Sequence, residues 1–198
     1  MNQQVVNKLI NEITNNDVST TEADRIQFDS MDDLEIRRVC PDARIITNSE
    51  LAKYNSIDDL FPLDNDHIFL LYGPVSEGHW VLLSKYNNII EFFNSYSGAV
   101  DDCLVWYKDI PATRIGGGAT PYLTHLLRNC PYKIIYNGFD FQNNRDLAVA
   151  TCGRWCCLRH QTIQDGMPLK QFIDTIKAVK KKTKLSFDNI VSDLINIH

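Results

Sequence analysis

The chain has 198 residues, 44% of them hydrophobic and 23% charged, which suits one globular domain, or one domain with a small helical appendage. The net charge of −5 gives no whole-protein reason to expect nucleic-acid binding, although acidic residues dominate Glu22 to Asp66 and lysines cluster at Lys177 to Lys184. The start, Met1-Asn2-Gln3-Gln4, has no basic region followed by a long apolar run, and the longest apolar stretches, such as Ile68 to Tyr72, are far too short to span a membrane. A reducing intracellular setting is therefore expected, and the six cysteines lack the density of a secreted disulfide scaffold.

Val5, Leu9, Ile10 and Ile13 share one helical face, so residues 3–14 are predicted to be an amphipathic helix. Ser30 with Asp33 reads as a variant capping box, and Ser49 and Ser56 as N-caps of short helical turns. The middle of the chain changes to strands over residues 67–72, 79–86 and 89–95, the last two joined by an Asn87-Asn88 turn. Thr120-Pro121 opens a helix over 121–129, and residues 133–137 give another strand. A helix runs from near Cys152 to near Gly166, and Pro168 and Ser186 open two more, reaching Lys182 and Ile197. The fold class is α+β, a central antiparallel sheet flanked by helices. Three consecutive glycines make Ile115-Gly116-Gly117-Gly118-Ala119 a segment of wide backbone freedom.

Cys152 follows a polar loop and opens a helix, where the positive end of the helix dipole favours thiolate. Cys156 and Cys157, one turn on beside Leu158, read as core. Cys152, Cys156 and His160 share a helical face, but zinc sites draw ligands from loops as well and no C-x-x-C pair is present, so no metal is expected. With a two-residue turn at Asn87-Asn88, residues whose numbers sum to 175 face each other. His79, at a strand start, then faces Tyr96, with Asn94 one diagonal step away, about 7–8 Å by Cα. An Asn94 amide oxygen accepting from one imidazole nitrogen fixes the tautomer and aims the other at a thiol, giving a Cys-His-Asn triad. Gln142, ten residues before Cys152, is a candidate side-chain donor to a developing oxyanion.

Gly-His-Trp on one strand, Phe-Phe-Asn-Ser-Tyr ending the next, then Tyr-Asn-Gly-Phe-Asp-Phe-Gln and Thr-Cys-Gly-Arg-Trp resemble adenain-type proteases of the ubiquitin-like-protein protease group. Pro121-Tyr122-Leu123-Thr124-His125-Leu126-Leu127 before the Tyr-Asn…Gln strand is similar to the maturation proteases of virophages and Polinton/Maverick elements. The resemblance spans about Ile45 to the C-terminus. It implies a circularly permuted papain-like fold in one domain, residues 1–198, with 1–44 a helical extension and 45–198 the catalytic core. The implied roles are Cys152 nucleophile, His79 base, Asn94 orienter and Gln142 oxyanion donor, with no cofactor. The family more often has an acidic residue at the Asn94 position, which leaves Asp101 or Asp102 as substitutes. The Gln142-to-Cys152 gap is longer than the usual six or seven residues, so Asn143 or Asn144 can share the oxyanion role.

The resemblance implies cleavage of capsid or other virion precursors at glycine-containing sites, in the host cytoplasm (the viral factory) and the virion. An isopeptidase acting on ubiquitin-like conjugates and an inert capsid-binding module are the alternatives. Related proteases cut near glycines, which makes the Gly116-Gly117-Gly118 segment a conceivable self-cleavage site. Adenain is stimulated by DNA, but Lys177, Lys180, Lys181, Lys182 and Lys184 read better as a solvated helix end, since no aromatic residues interleave with them.

Overall fold

A computed structural model describes residues 3–15, 25–73, 78–109, 119–142 and 149–196. In chain order its elements are α1 (Gln3–Asn15), α2 (Asp33–Val39), β1 (Arg44–Thr47), a 3-10 turn (Asn48–Lys53), α3 (Ile57–Leu60), β2 (Asp66–Tyr72), β3 (His79–Tyr86), β4 (Ile89–Phe93), a second 3-10 turn (Asp102–Tyr107), α4 (Tyr122–Leu127), β5 (Lys133–Tyr136), α5 (Cys152–Gln164), α6 (Leu169–Thr183) and α7 (Phe187–Leu194). They form two compact units: Asp42–Gly138, and Met1–Pro41 with Phe139–His198. The class is α+β. Residues 115–118 and 143–144, singled out in the sequence, lie outside the described residues, as does the expected end of α7 at Ile197.

The Asp42–Gly138 unit is a five-stranded sheet in the order β1-β2-β3-β4-β5. The three central strands are antiparallel, as expected, while β1 joins β2 and β5 joins β4 in parallel. The hairpin register is the one the turn dictates: Leu82 faces Phe93, Leu83 faces Phe92 and Tyr86 faces Ile89. Asn87 and Asn88 both sit at positive φ, 47° and 61°, the conformation a two-residue type I′ turn needs and asparagine tolerates. One sheet face carries Ile68, Leu70, Tyr72, Val81, Leu83, Ile90 and Phe92, packed with Ile57 and Leu60 of α3 and Leu123, Leu126 and Leu127 of α4 in a single core. Burying such side chains stabilises by about 1.5–3 kcal/mol each, which fixes the register of the strands that carry the site.

In the other unit α1 packs on α6 and α7, and α5 packs on α2 and α7. Residues 152–160, which open α5, are buried throughout, so this part of the helix is a core element without a solvated face. Phe141 stacks against Trp155 at 4.7 Å and Phe172 at 5.5 Å between ring centroids, tying the loop before α5 to α5 and α6. The N-terminal stretch is bound to the same region: Ala150 N–H donates to Gln27 C=O at 2.8 Å, and the Arg154 guanidinium donates to Asp29 C=O.

Two local expectations need correction, and one strand was not anticipated. The capping box lies at Asp32 and Glu35, not Ser30 and Asp33: Glu35 N–H donates to Asp32 at 2.8 Å and Asp32 N–H to Glu35 at 2.9 Å. Ser56 does cap α3, but Ser49 lies inside its turn, where Glu50 accepts from Thr47 N–H at 2.9 Å. Strand β1 went unread because its four half-buried residues show no alternation, and its partner in the sheet is far off in sequence.

Candidate active site

In the sheet unit, β3 begins at His79 and β4 ends just before Asn94, so the hairpin brings both to the same end of the same face. Both are buried, and His79 Nε2 lies 2.9 Å from Asn94 Oδ1. Tyr96 backbone N–H also donates to Asn94 Oδ1 at 3.0 Å. A backbone N–H only donates, so the atom facing the imidazole is the amide oxygen. Nε2 is then the protonated nitrogen, and Nδ1 of the neutral ring carries the lone pair. The Asn94 amide is packed from its other side by Gly98, where a Cβ would sit 3.2 Å from Asn94 Nδ2.

The imidazole is enclosed by aromatic rings. Tyr96 lies 4.9 Å away, centroid to centroid, as its place opposite His79 in the hairpin register led one to expect, and Trp106 stands edge-on at 5.4 Å. Trp106 comes from the second 3-10 turn, whose Tyr107 leans on Gly73: a Cβ there would fall 2.5 Å from that ring. The turn is also held by Asp101, which accepts from Tyr72 O–H at 2.7 Å and from Thr124 N–H at 2.7 Å. Asp102 accepts from Ala99 N–H at 2.8 Å. The two carboxylates considered as substitutes for Asn94 thus hold the loop, and the acceptor bonded to His79 is Asn94.

Burial drives the His79 pKa down to about 4, against a smaller upward pull from the Asn94 bond. The imidazole is therefore neutral at pH 7. The unfolded chain takes up a proton near the ordinary histidine value of about 6.5, so this residue contributes stability fully present above about pH 6.5 and lost as pH falls towards about 4. Denaturant titrations of wild type and His79→Gln are expected to diverge across that window, with wild type losing about 3 kcal/mol more between pH 7.5 and 4. Parallel losses would mean that His79 is not buried in its neutral form.

In the helical unit, Cys152 is the first residue of the 13-residue α5 and is 7% exposed. The first bond within the helix runs from Trp155 N–H to Thr151 C=O at 3.0 Å, so the thiol sits at the positive end of the macrodipole. Thr151 is itself fixed by donating its hydroxyl to Asp188 of α7 at 2.7 Å. Gln142 is buried, and its Nε2 donates to Val149 C=O at 2.8 Å. Cys156 and Cys157 are core residues whose thiols burial pushes well above the ordinary range.

Among the described residues no three His, Cys, Asp or Glu side chains are disposed to hold a metal ion, and no helix is long and apolar enough to cross a membrane. Within the lysine cluster, Lys177 lies 4.0 Å over the Phe139 ring and Lys180 3.9 Å over Phe187, so aromatic partners do meet these lysines, from other segments of the chain. Sequence reasoning missed Trp106 and Asn137, whose side chain bonds the Asn94 backbone. Neither carries a local signal, since their contacts are made by distant segments.

No family model matches the chain. Among solved structures it is similar to the yeast Ulp1 protease domain in complex with Smt3, the yeast ortholog of SUMO, with a TM-score of 0.39 and 14% identity, covering 85% of this chain and 80% of that one. It is also similar to the SUMO protease Ulp1 with its catalytic cysteine oxidized to a sulfenic acid, with a TM-score of 0.33 and 13% identity, covering 99% of this chain and 97% of that one. In sequence it is 36% identical over 146 residues to uncharacterized protein V9 of Sputnik virophage, covering 71% of this chain and 81% of that protein. The identity and its extent place the chain in the family of this virophage V9 protein.

Proposed function

We propose that the chain is a cysteine peptidase forming one catalytic domain over residues 1–198, with Cys152 as nucleophile, His79 as base, Asn94 as orienter and Gln142 as oxyanion donor. Its substrates are capsid or other virion precursor proteins, cut at glycine-containing sites during particle maturation in the host-cell viral factory and the virion. The observation that carries the reading is the buried His79–Asn94 pair, which holds a neutral imidazole with Nε2 as donor and Nδ1 as the basic nitrogen. A cysteine that opens a helix supports it. So does the order His, Asn, Gln, Cys along the chain, and kinship with a virophage protein supports the viral setting.

The chemistry follows from those groups. His79 Nδ1 takes the Cys152 proton as the thiolate attacks the scissile carbonyl, and the oxyanion gathers N–H donors from Gln142 and the start of α5. The imidazolium then protonates the leaving amine as the C–N bond breaks. Water, giving a proton to His79, cleaves the thioester and frees the acid, and that proton returns to the thiol. Every proton is carried by the chain, and no metal or organic cofactor enters the cycle.

The test is to incubate the full chain with virophage capsid precursors and read the new termini by mass spectrometry, with Cys152→Ala as control. Cuts at glycine-containing sites that need Cys152 are expected. Cleavage of ubiquitin-like conjugates with capsid precursors untouched would replace the substrate assignment by the isopeptidase one, and binding without any cut would make the chain an inert module. In the same assay Gln142→Ala is expected to lower kcat by about 100-fold or more with KM nearly unchanged. A defect confined to KM would mark Gln142 as a substrate-binding residue.

A further inference from the structure

Strands β4 and β5 pair in parallel from Ile89 opposite Lys133 to Phe92 opposite Tyr136, and there the backbone ladder ends. The next residue of β5's chain, Asn137, continues it with its side chain. Asn94 N–H donates to Asn137 Oδ1 at 2.8 Å, and Asn137 Nδ2 donates to Asn94 C=O at 2.7 Å. Asn137 is 1% exposed, so both bonds are made out of water. One amide thus bonds both backbone groups of the residue whose side chain holds His79, the Asn94 carbonyl accepting from Ser97 N–H at 2.9 Å as well. Among side chains of this length, the asparagine amide offers an acceptor and a donor at that spacing at every pH, and an aspartate only when protonated.

We propose that Asn137 is the positioning residue of the site: it clamps the Asn94 backbone just past the end of β4 and thereby keeps Asn94 Oδ1 on His79 Nε2. A residue leaving a strand has no ladder to fix its φ and ψ, and Asn94 stands at that point, where its C=O also accepts the turn bond from Ser97 N–H at 2.9 Å, with Ser97 at φ 60°. Without the clamp the Asn94 side chain swings with its backbone, and the imidazole loses its fixed orientation. The inference rests on the reading of His79 as base for its effect on rate, but the clamp itself is measurable without any substrate.

The experiment follows the His79 Nε2–H proton by NMR in the full chain, with kcat and KM alongside. In wild type the Asn94 bond protects this proton from exchange with water, so its resonance is visible at pH 7.5. In N137A it is expected to broaden or vanish while most other amide resonances stay in place, and kcat to fall about 10- to 100-fold with KM kept. N137D supplies a rescue specific to the clamp. Ionised, the introduced carboxyl has no donor and sets a charge against the Asn94 carbonyl. Protonated, its C=O accepts from Asn94 N–H and its O–H donates to Asn94 C=O, as the amide does. The resonance is therefore expected to be lost in N137D at pH 7.5 and to return near pH 5, where His79, with its pKa of about 4, is still neutral. If N137A does not fold, N137D compared with itself at the two pH values decides alone. A resonance unchanged in N137D at a pH where the ¹³C shift of the introduced carboxyl shows it ionised overturns the clamp. A resonance that behaves as expected while His79→Ala keeps full peptidase activity leaves the clamp standing and removes the proposed function.

Discussion

Cys152→Ala is expected to lower peptide-bond cleavage by about 10⁴-fold or more, the scale of losing a nucleophile that acts as one unit with its base. The substitution removes one sulfur from a side chain that is already 7% exposed, at a helix start whose geometry is set by the Thr151–Asp188 bond and by Ala150 on Gln27. The folded state should therefore survive, and thermal unfolding of the variant checks this. Cys156→Ala and Cys157→Ala are expected to behave in the opposite way. Both side chains are fully buried and their thiols are held protonated, so their loss costs about 1 kcal/mol or somewhat more in stability and leaves turnover nearly intact. Near-normal turnover in Cys152→Ala would end the account at its first step.

His79→Ala should lower kcat by about 10²–10⁴-fold, the range of a positioned general base. Asn94→Ala should cost less, because a loosely held imidazole still accepts a proton. Asn94→Asp keeps the acceptor on Nε2 and adds a charge. That charge favours imidazolium, so the His79 pKa rises from about 4. The base works only when neutral, so activity is lost as pH falls through this pKa. The acid limb of the pH–rate profile should accordingly move to higher pH in Asn94→Asp, with substantial activity kept near pH 7.5. If the limb stays put, Asn94 does not govern the imidazole, and the hairpin geometry has no bearing on rate.

The hairpin was legible because its information is local. Two asparagines at positive φ set a two-residue turn, the turn sets the register, and the register places His79 opposite Tyr96 and one step from Asn94. The start of α5 at Cys152 was legible for a similar reason, since a polar stretch of sequence gives way there to a helical pattern. What escaped depends on segments far apart in the chain. The parallel pairing of β1 with β2 and of β5 with β4 leaves no turn signal, and β5 with exposed Ile134 and Tyr136 looks no different from a hairpin strand. Asn137 reads in sequence as the last residue of a strand, and only the position of Asn94, 43 residues earlier, reveals its clamp. The carboxylates of Asp101 and Asp102 looked like candidate orienters because composition cannot tell a loop anchor from a catalytic acceptor. Their bonds to Tyr72, Thr124 and Ala99 can.

The central claim, a Cys152 thiol activated by His79 for attack on an acyl group, is tested most directly by a peptide ending in glycine that carries a vinyl sulfone, followed by intact-mass and peptide mapping of the full chain. The account predicts one adduct, on Cys152, formed much more slowly in His79→Ala and absent in Cys152→Ala. No adduct in wild type, or modification of the half-buried Cys130 in preference to Cys152, would contradict it.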